Sequence, residues 1–462
     1  MVQALVGTNG VTVSERAAET LRSAVEGAVL RPGDDGFEQA RRIWNGMIDR
    51  VPGLIVRCAS PSDVQRCVAF ARDHELLVAV KGGGHSFSGK SVCDGGLMID
   101  LSGLRRVAVD PSARTAKVDP GVLWSELDAA TGRYGLAVPG GSVSHTGVAG
   151  LTLGGGFGWL ARRFGLTLDN LIAADVVTAD GVLRRASDRE NPDLFWGLRG
   201  GGGNFGVVTS FEFRLHPLGM VYAGLIAHPL STAPTTGRLL RDLAAGAPDE
   251  LGLAGVFATT PDGHPVIGAG LCYAGPADEA ERVIAPIRTS NPQMRSLLGP
   301  MSYPAAQAMI DETAPYGLRY YLRSHMLDEL SDELIDTLAE RYAHVPSPLS
   351  LIFLFQLGGA ISRIPPEATA YAHRQAAFVA TISSGWADPA DDAVNIEWAK
   401  QTSDAMRRFT SGAVYVNQLG DEGEDRVRAA YGAPTYARLA ALKRRYDPTN
   451  LFRLNQNIKP PA

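Results

Sequence analysis

Cysteine, surplus charge and long hydrophobic runs are all scarce in this sequence. Four cysteines occur in 462 residues, Cys58, Cys67, Cys93 and Cys272, with neither metal-site spacing nor the density of a disulfide framework. Free thiols in a cytoplasmic protein are therefore expected, and no metal site is. Lys and Arg number 44 against 49 Asp and Glu, a net charge of -5. With a sequence pI near 6.0 and no basic stripe, no nucleic-acid partner is expected. No apolar run approaches the ~20 residues of a membrane span, so no membrane partner is expected either. The opening residues, MVQALVGTNGVTVSE, lack the charged start and long apolar stretch of a secretory signal. No internal repeat, low-complexity tract or disordered linker is present. What remains is an ordinary chain too long for one core. Two domains and a small-molecule partner are expected, and nothing in the sequence reports the oligomeric state.

Glycine, by contrast, is plentiful at 52 residues and unevenly spread. Residues 81–89 (KGGGHSFSG) and 142–158 (SVSHTGVAGLTLGGGFG) concentrate it. Glycine loses the most backbone freedom on folding, so a dense run marks a backbone that turns tightly or lies against a ligand. Successive N–H groups in such loops form nests for anions, above all phosphate. Two runs, one carrying a histidine, point to a large phosphate-bearing cofactor gripped by main chain. Neither run has the P-loop form, and the G-x-G-x-x-G-like crowding in GGGFGW is a weak signal by itself.

The periodicity organises the rest. Residues 11–30 have a helical pattern ended by Gly, Pro and Asp. GLIVRCAS reads as a strand. PSDVQRCVAFARDHEL reads as a helix with Ser60 as N-cap and Pro61 in its first turn. LLVAVKGGGH is a second strand that runs into the first glycine loop. This order suits an α/β unit with a ligand at strand ends. GLMIDLSGL, AADVVTADG and FGVVTSFEFRL add strands up to a boundary near His216. From Gly219 the glycine motifs stop. Strand-like VYAGLIAHPL, LAGVFATT, PVIGAGLCYAG, LRYYLRSH and SLIFLFQLGG then appear among helical ADEAERVIAPI, DELIDTLAERYA and AVNIEWAKQTSDAMRRF. An antiparallel sheet covered by helices on one face is expected.

The order of motifs is more specific than any one of them. V-K-G-G-G-H at 80–85 is followed by GGLMIDLSGL and the second glycine run. Next come R-x-x-G-L-x-x-D-N at 162–170 and DLFWGLRGGGGNFGVVTSFEF at 193–213. The series ends with Y-x-N at 415–417 and DPTNLFRLNQNI at 447–458. It resembles the berberine-bridge-enzyme-like branch of the vanillyl-alcohol-oxidase flavoproteins, from about residue 44 to 458, most weakly in the middle third. The resemblance implies an α+β fold. A two-part FAD-binding domain, residues 1–216 and 411–462, would be joined by a substrate domain, 217–410, whose sheet roofs the flavin ring. It implies FAD contacts from Lys81, Gly82, Gly83, Gly84, His85, Ser86 and Gly89 in the first loop. The second loop would contribute Ser142, Val143, His145, Thr146, Gly147, Gly150, Gly154, Gly155 and Gly158. Asn204, Gly206, Val208, Tyr415, Asn417, Asn455 and Asn457 complete the set.

Several implied roles follow residue by residue. The family attaches the flavin 8α-methyl to the histidine matched by His85, so a covalent histidyl link is expected there. Many relatives add a second link from a cysteine where this chain has Val143, which carries no sulfur, so His85 alone is expected to hold the cofactor. Singly tethered relatives include amine oxidases of the 6-hydroxynicotine type and the enterocin-pathway oxygenase, which uses a flavin-N5-oxide and resembles the SHTG stretch locally. Thr146 occupies the family's oxygen-gate position, where a small side chain leaves room for O2 as co-substrate. Relatives commonly place a tyrosine base after Y-x-N. Gln418 stands there and has no titratable group, which leaves Tyr415 as the nearby base. Asn417 is expected to support the flavin or its tyrosine neighbour, and Trp44 and Asn45 to pack. In the substrate domain Gln356, the polar end of an apolar strand, is expected over the flavin as a catalytic residue. Tyr320, Tyr321 and Arg323 are lesser candidates. The expected activity is an FAD-dependent oxidase that takes a hydride from a small alcohol, amine or secondary metabolite, with H2O2 as product. The alternatives are a flavin-N5-oxide oxygenase of secondary metabolism and a flavin-binding protein without turnover.

Overall fold

The computed structural model describes residues 5–288 and 295–461. The fold is α+β, as expected, and three large sheets carry it, with a two-stranded pair, Leu136–Ala137 with His216–Pro217, beside them among the described residues. The first sheet holds strands Ala28–Leu30, Leu54–Arg57, Leu97–Asp100 and Val78–Lys81, in that spatial order. Its last two pairs are parallel, and LIVR and LMID are apolar nearly end to end because both faces are covered. Helix Pro61–Asp73 covers one face through Val64, Cys67, Val68 and Ala71. Its start is as expected, with Ser60 accepting from the Asp63 N–H at 3.3 Å and Pro61 in the first turn. Residues 11–30 differ from expectation. The helix there spans only Glu15–Ala24, and Ala28–Leu30 is an edge strand paired antiparallel with Leu54–Arg57. An apolar AVL run too short to show a period satisfies either pattern, and the free sheet edge decided it.

The second sheet is antiparallel, with Val107–Asp110, Thr115–Val118, Val207–Arg214, Leu171–Val177 and Leu183–Ser187 in order. The end of the chain packs on this part of the molecule. Helices Glu424–Tyr431 and Ala433–Tyr446 place Val427, Tyr431, Leu439 and Leu442 in one core with Trp124, Phe195 and Phe211. Neither helix was read from the sequence. Lys443 holds this return in place, its buried ammonium donating to Asp447 at 2.7 Å and to the Asn204 and Phe452 carbonyls at 2.8 Å each.

The third sheet is the large antiparallel one. Its order is Arg295–Ser296, Val221–Pro229, Pro265–Tyr273, Leu251–Thr259, Leu351–Gln356, Phe378–Trp386 and Arg319–Leu327, with Gly299–Met301 also pairing on Val221–Pro229. Helices Ala233–Gly246, Ala277–Arg288, Asp332–Ala343 and Asp392–Met406 cover one face. Period two sorts the side chains. Ile352, Leu354, Ala380 and Ile382 enter the core beneath those helices, while Phe355 and Val379 enter a separate core with Phe157 and Trp159. The second face therefore looks toward the glycine loops. The cysteines are all buried free thiols.

Candidate functional site

A long cavity lies between the two glycine runs and the large sheet. The loops meet at Gly83 and Gly147. A Cβ on Gly83 would sit 2.5 Å from the Gly147 Cα, and one on Gly147 would sit 2.6 Å from the Gly83 nitrogen. Glycine at these positions is thus a matter of backbone contact. Gly84 adds a turn with φ near +73° that sets up His85. The second loop leads into helix Val148–Gly154, whose first amide, on Val148, donates to the Val122 carbonyl at 2.9 Å.

His85 lies on the cavity wall. Its ring stacks on Trp44 at 4.5 Å between centroids, and Trp44 stacks in turn on Tyr320 at 3.8 Å. Trp44 is itself fixed, with Nε1 donating to the Ala314 carbonyl at 2.8 Å. Burial, with a smaller contribution from His145, pushes the His85 pKa down to about 3, so the imidazole is neutral. Its Nε2 is shielded from water and has no hydrogen-bond partner among the described residues. An uncompensated ring nitrogen is costly unless another group completes it.

The second loop is tied to helix Tyr303–Gln307 and the turn that follows it. Ser144 donates its backbone N–H to Asp311 at 2.8 Å and its hydroxyl to the other carboxylate oxygen at 2.5 Å. The Gln307 amide donates to the Gly141 carbonyl. Thr146 lies on the cavity wall, and its carbonyl accepts from the Trp124 N–H at 3.0 Å.

Tyr415 lies on the cavity wall. Its phenol oxygen accepts from the Gly156 N–H and from Asn417 Nδ2, each at 2.8 Å. Both donors favour an ionised phenol, but burial opposes them more strongly and pushes the pKa up to about 12. On a strand, Tyr415 and Gln418 would face opposite ways. The structure has a 3-10 turn at Val416–Gln418, so both side chains line the cavity. Gln418 Oε1 accepts from the Thr381 hydroxyl at 2.8 Å.

Of the other expected residues, Gly82, Ser86, Ser142, Val143, Gly150, Gly206, Val208 and Asn455 line the cavity. Several do not. Gln356 faces the opposite side of its strand, where its amide donates to the Ala244 carbonyl at 2.6 Å beneath a helix. Phe353 and Phe355 take the cavity face, and period two excludes Gln356 from it. Tyr320 supports Trp44, and Tyr321 and Arg323 point away, with Arg323 paired to Glu422 at 2.9 Å. Asn204 is consumed internally, donating to the Gly201 and Gln456 carbonyls and accepting from the Ile458 N–H. Lys81 donates to the Ala40 carbonyl at 2.6 Å instead of facing the cavity. His145 lies behind His85, with ring centroids 5.1 Å apart. Gly89, Gly154, Gly155 and Gly158 are packing glycines, against Ile48, Asn417, Tyr415 and the Gly141 carbonyl in turn. Asn457 is absent from the wall, although its Oδ1 is buried without a partner. Sequence reasoning missed Thr381, in a strand that carries no motif, and gave Trp44 only a packing role.

Comparison with known proteins bears on this arrangement. Residues 52–187 match the FAD binding domain family, and residues 414–459 match the family described as berberine and berberine like. An FAD-linked oxidoreductase of Dictyostelium discoideum is 34% identical over 442 residues, covering 95% of each chain. (R)-6-hydroxynicotine oxidase of Paenarthrobacter nicotinovorans is 31% identical over 449 residues, 95% of this chain and 97% of that protein. The crystal structure of 6-hydroxy-D-nicotine oxidase from Arthrobacter nicotinovorans superposes with a TM-score of 0.86 at 29% identity, over 95% of this chain and 98% of that one.

Proposed function

The chain belongs to the berberine-bridge-like FAD-linked oxidoreductases, and from that premise we propose that it is an oxidase. It takes a hydride from a carbon that bears a hydroxyl or amino group and passes the electrons to O2, releasing H2O2. FAD is the cofactor. The cavity suits it, with a floor of loop backbone free of side chains at Gly83, Gly147 and Gly150. The same reading has FAD bonded to His85 and to no other residue.

One observation carries this reading: the neutral His85 ring, clamped by Trp44 on the cavity wall beside the Gly83–Gly147 contact. A covalent bond from that ring to the flavin would hold the cofactor in the cavity. Val143 lines the cavity where a second tether would start and has no atom that can form one. Once bound, FAD supplies the two-electron acceptor. The chain's own groups do the rest. Tyr415 takes the substrate's O–H or N–H proton, with Gly156 and Asn417 holding the phenolate oxygen. Thr146 keeps the wall small enough to admit O2. Phe353 and Phe355 shield the reacting atoms from water. The substrate is an alcohol, an amine or a secondary metabolite that carries one.

A flavin-dependent oxygenase of secondary metabolism is the second reading. It is favoured by two features: no carboxylate or histidine from the large sheet lines the cavity among the described residues, and burial raises the Tyr415 pKa. The experiment that tests the main reading is acid precipitation of the purified protein, followed by an anaerobic spectrum and exposure to air. Yellow colour should stay in the pellet of wild type and pass to the supernatant in His85→Ala, and reduced flavin should reoxidise rapidly. Colour retained in the His85→Ala pellet would assign the tether elsewhere. Slow reoxidation would remove the oxidase.

A further inference from the structure

The sheet side of the cavity carries information about what it accepts. Leu322, Leu351, Phe353, Phe355, Thr381 and Ser383 form that wall. They come from three adjacent strands, paired in register as Leu351 with Ser383, Phe353 with Thr381 and Leu322 with Ser383. Among the described residues, every side chain that the large sheet contributes to the cavity is uncharged. The charges on the same strands are turned away and paired, Arg319 with Asp392 and Arg323 with Glu422. The ammonium on the cavity wall, Lys90, belongs to the loop after His85 and not to the sheet; burial lowers its pKa, with Asp421 acting the other way.

A single polar device interrupts the apolar wall. The Thr381 hydroxyl donates to Gln418 Oε1 at 2.8 Å, which fixes the amide plane. Gln418 Nε2 makes no hydrogen bond among the described residues, and Gln418 lines the cavity. An oriented, unused N–H donor beside two aromatic rings calls for a ligand acceptor. A ligand charge at this wall would meet no counter-charge, and burial of an unpaired charge is strongly unfavourable.

We infer that the pocket takes an uncharged planar aromatic compound whose hydroxyl or carbonyl oxygen accepts from Gln418. The ring packs against Phe353 and Phe355, in the offset or edge-on geometry such rings prefer. Gln418 is a specificity-determining residue, and Thr381 is the residue that positions it. This rests on the proposed function only in taking the sheet side as the substrate side.

The test uses the flavin-loaded protein at neutral pH and reads ligand binding from the change in flavin absorbance. The probes are 2-naphthol, naphthalene, 2-naphthoate and 2-naphthylmethylammonium. 2-Naphthol should bind at least ~tenfold more tightly than either charged analogue. Gln418→Leu should weaken 2-naphthol by about tenfold or more and leave naphthalene unchanged, as expected when a donor to a ligand oxygen is removed. Thr381→Val, which frees the amide plane and keeps the amide, should give a smaller loss of the same kind. Equal or tighter binding of 2-naphthoate, as if Lys90 received it, or of the ammonium would overturn the inference. So would wild-type affinity for 2-naphthol in Gln418→Leu. Peroxide formation is measured separately and bears only on the oxidase: a protein that prefers 2-naphthol yet never makes peroxide loses the proposed activity and keeps this pocket.

Discussion

Gly147→Ala tests the contact on which the cavity floor depends. Gly147 has φ -72° and ψ 138°, which alanine adopts without strain, so the backbone conformation is not what requires glycine. The added Cβ would lie 2.6 Å from the Gly83 nitrogen and 2.8 Å from its Cα. Ordinary contact begins near 3.4 Å, so the loops must part by 3.4 minus 2.6, or 0.8 Å. The atoms in the way are backbone and cannot rotate aside. Behind Gly147 the chain is held by a bridge to Leu123 and by the Val148 N–H to the Val122 carbonyl at 2.9 Å, so the first loop is the one displaced. Overpacking of this kind costs ~1–3 kcal/mol. His85 lies two residues beyond Gly83, and a misplacement near 1 Å at a reacting centre reduces rate by ~10²-fold. The expected outcome is a lower thermal midpoint, a reduced ratio of bound FAD to protein, and flavin reduction slowed by about that factor. Gly246→Ala is the control. It ends helix Ala233–Gly246, away from the cavity, with nothing within 4 Å of the added Cβ, so its thermal midpoint should be unchanged or higher. Wild-type midpoint and FAD content in Gly147→Ala would show that the loops do not press together as described.

Thr146→Leu should slow reoxidation of reduced flavin by about tenfold or more, the effect of ~1.4 kcal/mol on a barrier, and leave anaerobic reduction nearly unchanged. Unaltered stopped-flow reoxidation would remove Thr146 as the gate. Tyr415→Phe should lower flavin reduction by the ~10²–10⁴-fold of a lost acid–base group with FAD content intact. Because burial raises the Tyr415 pKa to about 12, the phenolate fraction and the wild-type rate should climb with pH from neutrality upward, while the variant stays flat. Superimposable pH profiles would assign the proton elsewhere. Arg374→Met leaves Asp169, paired with it at 2.7 Å and nearly inaccessible, as a buried unpaired charge. A loss of ~3–5 kcal/mol in equilibrium unfolding is expected, and a loss below ~1 kcal/mol would mean the carboxyl is neutral or hydrated.

Much of this protein is written in local sequence. The glycine runs declare themselves because only glycine allows two backbones to approach as Gly83 and Gly147 do. Ser60 and Pro61 mark a helix start through hydrogen bonding and fixed φ, both local effects. The motif series from residue 80 to 458 was enough to read the family, the α+β fold and FAD. Tertiary structure decided what faces what. Gln356 is polar at the end of an apolar strand, and its sequence position alone cannot say which face of the sheet is covered by helices. The packing of Ile352 and Leu354 under those helices settles that face and turns Gln356 away from the cavity. Tyr415 and Gln418 share the cavity because residues Val416–Gln418 turn as a 3-10 element, a choice made by packing against Leu151 and Gly154 through Asn417. The clamp on His85 joins Trp44, Ala314 and Tyr320 across more than half the chain. Such a pairing has no local signature, since nothing near residue 44 reports which distant ring will lie against it. Residue types set the chemistry available, and the register of one sheet against two loops determined which of them share a cavity.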